Sequence, residues 1–229
     1  MSAMSGSLAD EESGDDHSLI PIAVVQLLVG RVLHDLSGPA GALANGVEMA
    51  VEADVLDPAV ADLLTFSADS LLARIRLLGF AFGRVDPSRS VSLAAAGEAA
   101  RRFLKARPAL RLTFPEADGP AGFSSLLPIL VIVAADCLPK QGDILVEHQP
   151  DTDQWTVIAA GPTLRLEEGL ISLLEGGATA PNNRSVSAYI AARLATQLGR
   201  RLSGRVETTG EGERLIVTVG KSSLMNTGT

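Results

Sequence analysis

One long apolar segment constrains the fold of this chain more than any other feature. Apolar residues run almost without interruption from Ser18 to Val51, and residues 54–58 then supply a break. The pattern predicts a helix of about 35 residues with Ser18 as its N-cap. A helix that is hydrophobic nearly all round must be buried nearly all round. Its apolar residues cover more than one face: Leu27, Leu28, Val32, Leu33, Leu36, Leu43 and Val47.

A second helix is predicted to follow at once. Asp57 and Pro58 form an N-cap and first-turn pair, and apolar residues then recur at spacings of three and four up to about Gly83. Two long helices joined by a short turn form an antiparallel hairpin. Because one hairpin cannot cover its own first helix, we expect two copies to associate as a homodimer with a four-helix bundle.

The second half of the chain changes character. Residues 84–90 are typical of a linker. Helices are predicted at 93–106, 124–138, 167–174 and 186–202, and strands at 110–114, 144–148, 155–159, 205–209 and 214–219. This order predicts an α+β fold with a helical layer on a mixed or antiparallel sheet. The predicted units are a disordered acidic tail at 1–17, the hairpin at 18–84, the α/β domain at 91–220 and a frayed tail at 221–229.

Charge and composition argue against nucleic acid as a partner. The formal net charge is -8, and only 3% of residues are aromatic, whereas nucleic acids attract clustered Lys and Arg and stack on aromatic rings. The segment 19–33 falls short of the roughly 18 uninterrupted apolar residues of a membrane span. The first residues lack the basic start of a signal peptide, and the lone Cys137 has no disulfide partner. We therefore expect a cytoplasmic protein without a membrane segment.

Helix-weakening residues crowd around one histidine of the first helix. Gly and Pro cost about 1 and about 3 kcal/mol in a helix interior, yet five of them surround His34: Gly30, Gly38, Pro39, Gly41 and Gly46. Steps of three and four residues from His34 trace the most polar stripe of the helix, which we expect to face solvent. The small residues would let the backbone of another protein approach the imidazole.

A neutral imidazole is a good nucleophile near pH 7, because its reference pKa is about 6.5. Phosphoryl transfer requires mainly positioning and charge neutralisation. Arg31 is placed to neutralise phosphoryl charge, and Asp35 to accept a hydrogen bond from the second ring nitrogen. His34, Asp35 and Arg31 are therefore the candidate catalytic residues. The candidate partner-binding residues share the same stripe: Leu27, Gly38, Gly41, Asn45 and Glu48.

Roles other than phosphoryl transfer are also open to His34. A surface or core histidine without chemistry is one alternative. No metal site is predicted, because no second histidine lies at helical spacing from His34. A Ser/His/Asp triad stays open, although the chain has no G-x-S-x-G motif.

The segment from His34 to Pro39 resembles the H box of bacterial sensor histidine kinases, in which a phosphorylatable His precedes an acidic residue and, five positions on, a Pro. A helical hairpin followed by an α/β domain also resembles the kinase layout of dimerisation and ATP-binding domains. Residues 188–199 resemble the last helix of that family, and residues 205–219 resemble its final hairpin.

The nucleotide-binding motifs of the kinases are not matched. Residues 131–134 form an apolar run where the family has its Mg-binding Asn. Residues 159–162 read Ala-Ala-Gly-Pro in place of the adenine-binding Asp-x-Gly-x-Gly motif. The nearest match to the Gly-x-Gly motif of the kinase lid is Gly176-Gly177, which lacks the rest of the motif. A degenerate ATPase-like α/β sandwich behind an H box resembles the dimeric ChpT-type histidine phosphotransferases. One departure is Gly38 before the proline, where that family often has Ser.

This resemblance implies a phosphorelay protein without ATP or another cofactor. It would take phosphoryl from the receiver Asp of a hybrid kinase onto His34 and pass it to the receiver Asp of a response regulator. A receiver phosphatase, a binding partner that transfers nothing and a divergent true kinase remain alternatives. The α/β domain either stabilises the dimer or docks receivers, with candidate contacts Arg184, Arg193, Arg200 and Arg201.

Overall fold

The computed structural model describes residues 20–53, 57–83, 92–116 and 118–222. Ser18, the acidic tail, the linker and most of the C-terminal tail, all named above, lie outside these ranges.

The first two helices pack side by side as the predicted hairpin. Helix α1 spans Ile22–Glu52 and helix α2 spans Pro58–Phe82. The N-cap of α1 is Pro21, and not Ser18 as expected, so the helix has 31 residues. The carbonyl of Pro21 accepts the first helical hydrogen bond of α1, and the Asp57 side chain accepts one from the Ala59 N–H at 2.8 Å to start α2. No helix within the described ranges is both long and apolar enough to cross a membrane.

The second half is an α+β unit, as expected from the order of its elements. Its helices are α3 (Leu93–Leu104), α4 (Phe123–Cys137), α5 (Leu170–Leu174) and α6 (Val186–Gln197). Its strands are β1 (Leu110–Thr113), β2 (Gly142–Gln149), β3 (Gln154–Gly161), β4 (Arg200–Thr209) and β5 (Gly212–Lys221). They form one sheet in the order β1-β2-β3-β5-β4. The β1–β2 pair is parallel and the other pairs are antiparallel, so the sheet is mixed.

Two predicted boundaries were wrong. The helix expected at 167–174 begins only at Leu170, and the boundary between the last helix and the strand after it lies earlier than expected. The helix expected at 186–202 ends at Gln197, and the strand expected at 205 already begins at Arg200. Gly199 adopts a positive φ of 66°, which a glycine tolerates without strain and which turns the chain into the strand. Leu202 then lies in the core.

Helix α4 is the centre of the hydrophobic core. All but two of its 15 residues are buried, and it packs on the inner face of the sheet and against α6. Leu77 and Ala81 of α2 belong to the same core cluster. The hairpin is therefore anchored in the α/β unit through α2, while α1 lies further out.

Replacing Leu77 with Ala is expected to lower the free energy of unfolding by about 2–5 kcal/mol, because Leu77 is fully buried and its removal leaves a cavity. Chemical denaturation followed by circular dichroism measures the change. Leu166→Ala is the matched control, since Leu166 is exposed, and it should change stability by less than about 0.5 kcal/mol. Equal losses for the two variants would contradict the role given to Leu77.

Candidate functional site

His34 lies in the middle of α1 with 89% of its side chain exposed. The polar stripe that continues toward the C-terminal end of the helix is exposed too: Gly38, Gly41, Asn45, Glu48 and Glu52. No side chain lies within 4 Å of the position that a Cβ would take at Gly38 or Gly41. The surface beside the imidazole is therefore flat and open to another protein.

The polar stripe was expected to face solvent along its whole length, but its N-terminal end is covered. Leu27 is half-buried and lines a groove against Leu173 and Tyr189 of the α/β unit. The Arg31 side chain is only 11% exposed. Helical spacing places these residues on the His34 face, but packing of α1 on the α5–α6 region covers this part of it.

Arg31 connects α1 to two parts of the α/β unit. Its guanidinium donates to Asp136 Oδ2 at 2.6 Å, at the end of α4, and to the carbonyl oxygens of Arg184 at 3.1 Å and Asn183 at 3.4 Å. Its Nε lies 3.5 Å from Asp35 Oδ2. The guanidinium that was expected to await a phosphoryl group is thus already held by two carboxylates and two carbonyls.

Asp35 lies between this cluster and the histidine. Its Oδ1 is 3.4 Å from His34 Nδ1, while its Oδ2 faces Arg31. A carboxylate beside Nδ1 favours the tautomer that carries the proton there. The other ring nitrogen, Nε2, is then the one with a free lone pair.

A cleft of about 420 Å³ opens between α1 and the α/β unit, with His34 on its rim. Its far wall carries charges of both signs: Asp136, Arg165, Glu167 and Arg184. Arg184 is paired with Glu167 at 3.2 Å. Within the described part of the chain, no hydrogen bond or ion pair engages the exposed Arg165 side chain. Sequence reasoning did not single out Asp136 or Arg165, although Asp136 is the one charged residue of the otherwise apolar helix α4.

The four arginines considered as docking contacts lie in different places. Arg184 is on the cleft and Arg193 lines the groove beside Leu27. Arg200 is 11% exposed and its Nη2 lies 2.9 Å from Asp153 Oδ2. Because Asp153 already pairs with it inside the fold, Arg200 is a structural residue of β4. Arg201 is exposed on the same strand.

Burial raises the pKa of the Asp136 carboxyl above its ordinary value. Arg31 lowers this pKa and Asp35 raises it further, but the loss of hydration dominates. An acid whose pKa is raised by folding destabilises the fold when it ionises. The stability contribution of Asp136 therefore falls as the pH rises from its ordinary pKa of 3.8 through its folded-state pKa.

Cys137 follows Asp136 and is buried, as the sequence indicated. Burial raises the pKa of its thiol to about 12, so that at pH 8 only about one part in 10⁴ is the reactive thiolate. We expect a thiol reagent to leave the native protein unlabelled at pH 8 and to label one thiol fully in guanidinium chloride. Rapid labelling of the native protein would contradict this assignment.

A comparison with protein families shows the family of this chain. The model of the histidine phosphotransferase C-terminal domain matches residues 93–210, more than half of the 229-residue chain. The chain belongs to the histidine phosphotransferase family. The predicted activity, phosphotransfer in a two-component phosphorelay, is confirmed at the level of the family.

A named relative agrees with this histidine phosphotransferase assignment. Protein phosphotransferase ChpT of Brucella abortus is 27% identical over 184 residues, which are 77% of this chain and 87% of that protein. The resemblance to ChpT-type proteins is thus confirmed. A solved bacterial phosphotransferase superposes with a TM-score of 0.68 at 22% identity, covering 88% of this chain and 97% of that one, which shows a shared fold. The histidine kinase AdeS of Acinetobacter baumannii aligns with a TM-score of 0.43 and 16% identity over 84% of this chain and 98% of its own.

Proposed function

We propose that His34 carries the phosphoryl group in a relay between two receiver domains. It takes the group from the aspartyl phosphate of a hybrid histidine kinase receiver and passes it to the receiver Asp of a response regulator. The observation that carries the proposal is the exposed imidazole with an acidic partner at Nδ1 and an open, small-residue surface around it.

The chemical step needs no further reactant. The lone pair of His34 Nε2 attacks phosphorus, the bond from phosphorus to the receiver carboxylate oxygen breaks, and the carboxylate leaves with that electron pair. The imidazole keeps its proton on Nδ1 and becomes positively charged. Asp35 stabilises that charge from 3.4 Å away, and the reverse step returns the group to the next aspartate.

The docking surface of the receiver comprises the α1 face and the cleft. Gly38, Gly41, Asn45 and Glu48 offer the exposed α1 face, and Arg165 adds a cation on the opposite wall. Standard specific interfaces bury about 800 Å² on each partner, which is more than the exposed part of this one helix face supplies. A receiver that contacts both the α1 face and the α/β unit would bury enough surface while it reaches the exposed His34.

ATP has no part in the proposed reaction. The residues that replace the Mg-binding Asn of the kinases, Val131–Ala134, are at most 4% exposed and lie within the core. Placing a metal ligand there would bury an unpaired polar group, which is costly. The phosphoryl donor is accordingly another phosphoprotein.

The same proposal includes a homodimer built on a four-helix bundle. An uncovered apolar stripe runs along α1, and α2 adds Leu72 and Ile75. The stripe consists of Ile22, Val25, Val29, Leu33, Val47 and Val51. At 1.5 Å per residue the stripe is about 43 Å long. Multiplied by the width of two helices, this length gives an area that approaches the roughly 800 Å² per partner of a standard interface.

A transfer assay tests the function. A receiver domain carrying radiolabelled aspartyl phosphate is mixed with this protein. The label transferred to this protein should be stable to alkali and labile to acid, as a phosphohistidine is. Labelling by ATP would indicate a true kinase, and release of inorganic phosphate without labelled intermediate would indicate a phosphatase. Binding of the receiver without transfer of label and without release of phosphate would indicate a binding partner that does not transfer the phosphoryl group.

A further inference from the structure

We propose that Asp136 is a positioning residue for His34, acting by holding the Arg31 guanidinium so that the Asp35 carboxylate stays available to Nδ1 of the histidine. The inference rests on the proposed function of His34 and adds a residue from outside the H box to its machinery.

Two carboxylates compete for one guanidinium at this point. Arg31 lies 2.6 Å from Asp136 Oδ2 but 3.5 Å from Asp35 Oδ2, so its stronger pairing is with Asp136. The carbonyls of Asn183 and Arg184 hold the guanidinium on the same side. The four groups Asp136, Arg31, Asp35 and His34 thus form one chain of contacts from α4 to the imidazole.

Removing the Asp136 charge changes that balance. The Arg31 side chain arises one helical turn before Asp35 and would then pair fully with this second carboxylate. Hydrogen bonds to a charged partner are stronger than those to a neutral one. Asp35 would turn toward Arg31 and lose its contact with His34 Nδ1, which is already long at 3.4 Å.

Stability alone does not account for an aspartate at this position. The Asp136 side chain is 36% exposed while Arg31 is 11% exposed, and loss of hydration raises the pKa of this carboxyl despite the neighbouring guanidinium, so the pair adds little net stability. A carboxylate with a raised pKa that holds a guanidinium beside the proposed phosphoryl acceptor is typical of a residue retained for function.

The test is Asp136→Asn, examined without any receiver and then with one. Nitrogen-detected NMR of the His34 ring is expected to show the Nδ1–H tautomer reduced in the variant, and single-turnover transfer to slow about 5- to 20-fold, less than loss of a direct acid–base partner would cause. The receiver concentration for half-maximal rate should change little. A merely structural role predicts a lower thermal midpoint with an unchanged ring and an unchanged rate for the folded protein.

A double-mutant cycle and two further variants complete the experiment. In an Arg31→Met background, Asp136→Asn should have no further effect on the ring or on the rate, because the two residues act as one unit. Asp136→Glu should restore most of the rate. Asp143→Asn, which breaks the comparable ion pair with Arg111 at 2.6 Å, should leave His34 unchanged.

An unchanged His34 ring in Asp136→Asn overturns the inference, as does an equal loss of rate in the presence and absence of Arg31. Because the ring is observed in the free protein, this result is separate from failure of the proposed function, which would appear as no transfer by the wild-type chain.

Discussion

Replacing His34 with Gln is expected to abolish phosphorylation of this protein by a phosphorylated receiver, with a loss of at least about 10³-fold in rate. The amide nitrogen of Gln is not a nucleophile, so no bond to phosphorus can form at this position. Since the side chain is 89% exposed, the substitution should leave folding intact. Transfer is measured as the appearance of labelled protein against time, and folding by circular dichroism.

His148→Gln is the matched control, because it makes the same change in the α/β unit. His148 stacks on Trp155 at 4.2 Å between ring centroids and lies on β2, away from the cleft lining. Its replacement should leave labelling unchanged. Acid-labile label on the His34→Gln protein would show that another residue carries the phosphoryl group.

A double substitution of Val29 and Leu33 with Glu is expected to convert the proposed homodimer into a monomer. These residues are 50% and 58% exposed in the single chain, and in a four-helix bundle both would be buried, where unpaired carboxylates are strongly destabilising. Light scattering coupled to gel filtration should give twice 23.8 kDa for the natural chain and 23.8 kDa for the variant.

Asn45→Glu controls for the added charge, since it places a carboxylate on the exposed polar face of the same helix. It should remain dimeric. A natural chain that is already monomeric at micromolar concentration would contradict the dimer, and the apolar stripe of α1 would then need another partner.

Local signals in the sequence predicted the hairpin well. Asp57 and Pro58 define the start of α2 through a capping hydrogen bond that depends only on neighbouring residues. The α+β arrangement also followed from the order of elements. The error at 186–202 arose because Ala and Leu continue the helical pattern up to Leu198, whereas pairing of Arg200 with Lys221 on β5 decides where the strand begins.

The candidate site also has a part that was predictable from the sequence and a part that was not. His34, its acidic neighbour and the surrounding small residues were recognisable from the chain alone, because helical spacing fixes which residues share a face. Arg31 shares that face too, but its actual environment depends on residues more than 100 positions away. No local pattern reports such a contact.

The primary structure was therefore sufficient to predict the helical hairpin, the candidate histidine on it and the resemblance to the family, since each depends on short-range spacing and residue type. Only the folded chain decided that Arg31 lies between two carboxylates, that Leu27 is covered and that Asp136 belongs beside the site. These depend on how α1 packs against the α/β unit, and such packing is set by the whole core rather than by any one segment.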